Sequence, residues 1–126
     1  MLHRSALPIL TAVLALTLPA LAQAAGDPAK GATLFKQRCS MCHVSAAGAA
    51  PTAAPNLFGV AGRKAASTSF NYSDALKASG LTWTAANLDA FLAAPNKKVP
   101  GTRMVISVPA AADRADIVAY LSTLKK

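Results

Sequence analysis

The chain has 126 residues, room for one small domain, and carries a formal net charge of +8 from 13 Lys and Arg against 5 Asp. Such a balance favours an acidic partner surface, nucleic acid or anionic lipid. No block of consecutive Lys or Arg is longer than two, which excludes a polybasic tail.

The first segment reads as a secretory leader. His3 and Arg4 form a short positive start, an apolar run follows from Leu7 to Leu18, and Ala22-Gln23-Ala24 has the small-residue spacing a signal peptidase reads. An uncleaved anchor is the competing reading. The run falls short of the roughly 20 apolar residues a spanning helix needs, and Pro8 and Pro19 bracket it. Residues 1–24 are therefore expected to be a signal peptide, residues 25–126 the functional domain, and the periplasm the destination. No cysteine lies near the cut, so a lipid anchor is not expected. Export makes nucleic acid the weakest of the three partner classes. Without Arg4 the domain carries about +7.

Asp27 and Pro28 then start a helix, Asp as N-cap and Pro at the first helical position. Ala29 to Met41 is expected to be helical, with Ala32, Phe35 and Cys39 on one face. Residues 44–55 form a loop of small residues and prolines. Asn56 to Ser69 lacks periodicity and holds Gly59 and Gly62, so it too is expected to be loop. Ser73 caps a short helix, Asp74 to Ser79, which Gly80 ends. Thr84 caps another, Ala85 to Ala94, burying Leu88, Phe91 and Leu92 until Pro95 stops it. Asn96 to Val108 is a long loop containing Met104. Pro109 opens the last helix, Ala110 to Leu124, with Ile117, Val118, Tyr120, Leu121 and Leu124 on its buried side and Lys125 and Lys126 at its negative end. No strand and no internal repeat is evident.

An all-α domain of short helices and long loops, with seven aromatic residues, needs something besides its own core to order it. Cys39-Ser40-Met41-Cys42-His43 indicates what that is. It holds both cysteines of the chain and the one histidine outside the leader. A zinc site would need four ligands, and this segment offers three. A Cys39–Cys42 disulfide would close a tiny loop and stabilise little. A thiol–disulfide oxidoreductase would use the same Cys-x-x-Cys, usually in a strand–helix fold that is not evident here. The fourth reading, covalent haem attachment, fits best. Two thiols reach the vinyl groups on one edge of a porphyrin, and the next residue lies under the iron as a ligand. A buried macrocycle would also supply the missing core.

With His43 used, the other axial position could take Met41, Met104 or a lysine. Met41 lies inside the attachment segment and cannot reach the opposite face. Met104 lies far along the chain on a loop, which makes it the expected sixth ligand. A thioether opposite imidazole raises the potential, and a six-coordinate iron has no open position for substrate, so electron transfer is expected rather than catalysis.

The sequence resembles the class I cytochrome c family, in particular its soluble bacterial monohaem members, from about Gly31 to Leu124. The resemblance rests on Gly31 and Phe35 before CSMCH, then PNLFGVAGR (Pro55 to Arg63), Tyr72, Trp83, PGTRM (Pro100 to Met104) and Tyr120. It implies a small fold of short helices and loops wrapped around one covalent haem c. It implies that the Pro55 carbonyl accepts from the free N–H of His43, and that Arg63, Tyr72 and Trp83 meet the haem propionates. Gly31, Phe35 and Tyr120 would lie where the first and last helices cross. Read on its own, Arg63 is more simply a surface charge, and Tyr72 and Trp83 ordinary core. Three departures stand out: Leu76 replaces a commonly polar residue, Ile106 stands where an aromatic is frequent, and the segment between Arg63 and Phe70 is one residue shorter than usual.

The resemblance also implies a monomeric carrier that is not membrane-anchored. Its partners would be redox proteins with acidic docking surfaces: a membrane cytochrome bc-type complex, a terminal oxidase, a periplasmic dehydrogenase or a peroxidase. Arg38, Lys97, Lys98 and Arg103 would form a positive rim near the haem edge. Two other functions are compatible with the motif alone. One is an enzyme or gas sensor with five-coordinate haem, the other a colourless dithiol protein.

Overall fold

The computed structural model describes residues 25–125, so the expected leader over residues 1–24, and Lys126, lie outside it. Five helices follow in order: α1 (Pro28–Arg38), α2 (Asp74–Ala78), α3 (Ala85–Ala93), α4 (Pro95–Lys98) and α5 (Ala111–Thr123). The described residues form no strand, only one isolated bridge between Lys64 and Thr82. The all-α expectation holds.

α1 begins as its sequence requires. The Asp27 carboxylate accepts from the amides of Ala29 (2.9 Å) and Lys30 (3.3 Å), satisfying two otherwise orphaned donors. The helix ends at Arg38, three residues before the expected Met41. There the ladder loses register: the amides of Cys39 and Ser40 both donate to the Phe35 carbonyl, at 2.8 and 3.0 Å. The Ser40 hydroxyl donates back to the Lys36 carbonyl at 2.6 Å. The amides of Cys42 and His43 then fold onto the Cys39 carbonyl at 3.1 and 2.9 Å, so CSMCH occupies turns rather than helix.

α1 packs against α5, and glycine makes that crossing possible. A Cβ on Gly31 would overlap the Asp116 carbonyl, and one on Gly26 the Ala115 carbonyl. The Asp116 carboxylate also accepts from the Asp27 amide at 2.7 Å, fixing the start of α1 onto α5. Phe35 and Tyr120 close the crossing with ring centroids 5.3 Å apart. On α5 the buried residues are Ile117, Val118 and Leu121, while Tyr120 and Leu124 are half-buried.

Of the remaining helices, α2 and α3 are short and capped by side chains. The Ser73 hydroxyl accepts from the Leu76 amide (3.1 Å), and Gly80, at φ +65°, turns the chain away after α2. The Thr84 hydroxyl accepts from the Asn87 amide (3.1 Å) and starts α3. Pro95 stops α3 as expected, but it also occupies the first position of α4, within the stretch expected to be loop. The Lys98 amide donates to the Ala94 carbonyl (3.0 Å) and the Val99 amide to the Pro95 carbonyl (2.8 Å), closing that single turn. α5 starts at Ala111 without a side-chain cap.

Candidate haem-binding site

The two long loops and the inner faces of α3 and α5 enclose a cavity of about 340 Å³, within the range of a small-molecule site. Its lining is mostly apolar: Phe35, Val60, Leu88, Phe91, Ile117 and Leu121 are among the side chains that form it. All eight residues singled out from the sequence line the same cavity. They are Cys39, Cys42, His43, Pro55, Arg63, Tyr72, Trp83 and Met104. Met41 does not reach it; its side chain is 89 % exposed.

The attachment segment enters the cavity wall through the turn that ends α1. Both cysteines are free thiols and half-buried. Burial pushes the Cys39 thiol up, partly offset by the neighbouring Arg38 charge. The His43 ring is fixed by its Nδ1–H, which donates to the Pro55 carbonyl at 2.8 Å. A carbonyl can only accept, so the proton lies on Nδ1 and Nε2 keeps its lone pair. Burial holds the imidazole below its ordinary pKa, with the Pro55 carbonyl acting in the opposite sense. A neutral, oriented imidazole is what a metal requires of histidine.

The loop after His43 holds Pro55 in place largely through hydrogen bonds that residue patterns do not reveal. The Ala54 amide donates to the Cys42 carbonyl (3.1 Å) and the Leu57 amide to the Val44 carbonyl (2.9 Å). The Asn56 side-chain amide reaches two carbonyls, Ala46 at 2.8 Å and Ala49 at 2.9 Å, and its oxygen accepts from the Phe58 amide at 2.9 Å. Asn56 was not singled out from the sequence. Asparagine in a Gly/Pro-rich loop was the available signal.

Arg63 is not simply a surface charge. Its Nη1 donates to the Phe58 carbonyl at 2.9 Å and its Nη2 to the Asn56 carbonyl at 3.3 Å. Its Nε is buried with no partner among the described residues. An unsatisfied buried cationic donor is costly, and here it belongs to a side chain lining an apolar cavity. The Tyr72 hydroxyl shares a hydrogen bond with the Thr68 hydroxyl. Trp83 is buried edge-on to Phe91, with ring centroids 5.0 Å apart.

The donor set suits a haem. It comprises two thiols and an imidazole with a free lone pair on one segment, a thioether from a distant loop, apolar walls, and a buried guanidinium N–H lacking an acceptor. A family model described as cytochrome c matches residues 28–125. The chain belongs to the cytochrome c family. It is similar to cytochrome c2 of Rhodomicrobium vannielii, with 50 % identity over 111 residues that cover 86 % of this chain and 88 % of that protein. Cytochrome c of Theileria annulata is 48 % identical over 97 residues, covering 76 % of this chain and 84 % of that one. Among solved structures, cytochrome cH from Methylobacterium extorquens aligns with a TM-score of 0.72 and 44 % identity, over 78 % of this chain and 99 % of that chain.

The chain is thus a class I monohaem cytochrome c, an electron carrier with one covalently bound haem c. Two of its departures from the family pattern, Leu76 and Ile106, both line the cavity; Leu76 makes the wall there more apolar, and Ile106 remains 56 % exposed. No helix among the described residues is long and apolar enough to cross a membrane.

Proposed function

We propose that this cytochrome c is a periplasmic carrier whose haem is attached through Cys39 and Cys42 and whose iron lies between His43 and Met104. The observation that carries this reading is the convergence of His43 and Met104 on one cavity while Met41 points to solvent. When bound, the haem supplies a one-electron couple, and imidazole with thioether raises its potential. His43 presents Nε2 because Pro55 engages Nδ1. Arg63 would offer its Nε to a haem propionate, which would satisfy the buried donor left unpartnered among the described residues. Tyr72 and Trp83, which line the same cavity, would contribute polar handles and apolar walls. With His43 and Met104 both holding the iron, the site would transfer electrons and would leave no position for substrate.

The charge distribution favours acidic partners. Arg38 pairs with Asp113 (3.6 Å), Lys77 with Asp74 (3.7 Å) and Arg114 with Asp89 (2.8 Å). Among the described residues, Lys97, Lys98 and Arg103 have no acidic partner. All three lie on or beside the loop that carries Met104. A positive rim there would steer a respiratory complex, terminal oxidase, dehydrogenase or peroxidase with an acidic surface. Association rates should fall steeply with added salt; a rate indifferent to ionic strength overturns the steering.

The deciding experiment is an absorption spectrum of the protein expressed through the periplasm, oxidised and reduced, repeated after acid-acetone extraction. Colour that stays with the protein, together with the weak near-infrared band of sulfur-ligated iron, supports the proposal. Colour without that band overturns Met104 as ligand and makes an enzyme or sensor the better reading. A colourless protein overturns the covalent haem itself.

A further inference from the structure

The segment that carries Met104 is fixed at both ends and almost nowhere between. At its start, the Val99 amide donates to the Pro95 carbonyl (2.8 Å) and the Thr102 amide to the Val99 carbonyl (3.0 Å). At its end, the Val108 amide donates to the Leu92 carbonyl at 2.8 Å. Arg114 then gathers the Val108 and Pro109 carbonyls at 3.0 and 2.8 Å. Over residues 103–107 the backbone makes no hydrogen bond with any described residue. Val105 and Ile106 line the cavity but are 73 % and 56 % exposed, so they give the segment little anchorage.

The hydrogen bonds this stretch does make come from one side chain. Arg103 reaches to the loop between Phe70 and Ser73, donating from Nη1 to the Asn71 carbonyl at 2.6 Å and from Nη2 to the Tyr72 carbonyl at 3.4 Å. Those carbonyls are 32 and 31 residues away in sequence, and Tyr72 itself lines the cavity. The bond to Asn71 is the stronger of the two, short and charge-assisted; the bond to Tyr72 is near the distance limit. The planar fork of a guanidinium can meet two neighbouring carbonyls together, which an ammonium on a flexible stem does less well.

We infer that Arg103 is a positioning residue for the Met104 thioether: its side chain straps the Met104 segment to the 71–72 backbone and holds the sulfur in the cavity against competing ligands. This deepens the His43/Met104 reading and rests on it. The sulfur is a weak donor on a segment whose backbone makes no hydrogen bond with any described residue over residues 103–107, and Met104 itself is only partly buried against the core. Its residence at the iron therefore depends on how far that segment can swing. The strap limits the swing. Arg103 therefore has a role separate from any contribution to partner docking.

The test uses the haem-loaded protein and imidazole, a neutral ligand whose binding in the oxidised form displaces the sulfur and abolishes its near-infrared band. Neutrality matters, because removing a cationic side chain then leaves the charge of the incoming ligand out of the comparison. Arg103→Ala should bind imidazole roughly tenfold more tightly than the parent, the order expected for one charge-assisted hydrogen bond at a partly exposed position. Arg103→Lys, which keeps the charge and one donor group, should fall between the two. Urea unfolding of each variant, followed by its intrinsic fluorescence, shows whether the frame is intact. Met104→Ala run alongside separates the two levels of the argument. If Met104→Ala loses the sulfur band but Arg103→Ala binds imidazole within twofold of the parent, the strap is overturned and the ligand stands. If Met104→Ala keeps the band, the ligand assignment fails and the strap with it.

Discussion

The crossing of α1 with α5 and the loops around the cavity are held by different forces. At the crossing, two helices approach so closely that the contact is written in the absence of side chains, at Gly26 and Gly31, and in one aromatic pair, Phe35 with Tyr120. The loops carry little regular structure. They are held by side chains donating to distant carbonyls: Asn56 to residues 46 and 49, Arg63 to 56 and 58, Arg103 to 71 and 72, Arg114 to 108 and 109. The frame is a packing problem and the cavity wall a hydrogen-bonding problem. That division suits a carrier, because the loops must close around a large cofactor while the frame fixes where α1 delivers the thiols.

The sharpest way to break the frame is Gly31→Ala. Alanine is the better helix former by about 1 kcal/mol. Its Cβ would overlap the Asp116 carbonyl and crowd the Tyr120 Cβ, both belonging to a helix that cannot move without disturbing the core. Overpacking should win, with a net loss of about 2–3 kcal/mol in urea unfolding of the haem-loaded protein. A variant as stable as the parent would mean that the helices can separate freely.

A smaller effect is expected where a loop joins the frame. The Arg114 side chain, mostly buried, binds the Asp89 carboxylate at 2.8 Å as well as two loop carbonyls. Arg114→Ala should cost about 2 kcal/mol, since it strips a charged donor from several acceptors. It should also speed hydrogen exchange at the Val108 amide, whereas the amides of α1 remain protected. Equal acceleration in both regions would erase the distinction between frame and wall.

Smaller still is a substitution that should help. Ala66 sits at φ +55°, a left-handed conformation that costs an L-residue about 1–2 kcal/mol. Glycine removes that strain but has more backbone entropy to lose on folding, by about 0.5–1 kcal/mol. Ala66→Gly should therefore stabilise the protein by about 0.5 kcal/mol, read as a small rise in the urea midpoint. The last expectation is no effect. The Asp74 carboxylate is fully exposed and its pair with Lys77 spans one turn of α2, so Lys77→Ala should leave the midpoint unchanged. A measurable drop would show that α2 depends on surface charge as well as on its Ser73 cap.

Local chemistry made the starts of three helices legible, because Asp27, Ser73 and Thr84 act on amides two or three residues away. The attachment segment was legible for the same reason, its five consecutive residues carrying thiols and imidazole together. The end of α1 was not, since its ladder shifts register at Phe35 and the Ser40 hydroxyl competes for the Lys36 carbonyl. α4 was hidden because Pro95 acts twice, ending one helix and opening the next. Only its neighbours' backbone angles separate those roles, Ala94 lying at φ −160° and ψ 86°.

By itself, then, the sequence determined three of the helix starts, the all-α class, the candidate attachment segment and, through its resemblance, the family. These follow from short-range spacing and from motifs that keep their meaning out of context. Only the tertiary structure decided which residues meet across the cavity. It turned the Arg63 guanidinium inward with an unpartnered Nε, sent Met41 to solvent, brought Met104 to the same cavity as His43, and gave Arg103 two carbonyls to hold. A long side chain in a loop can reach solvent or a distant backbone at nearly equal local cost, and the folded arrangement of carbonyls selects between them.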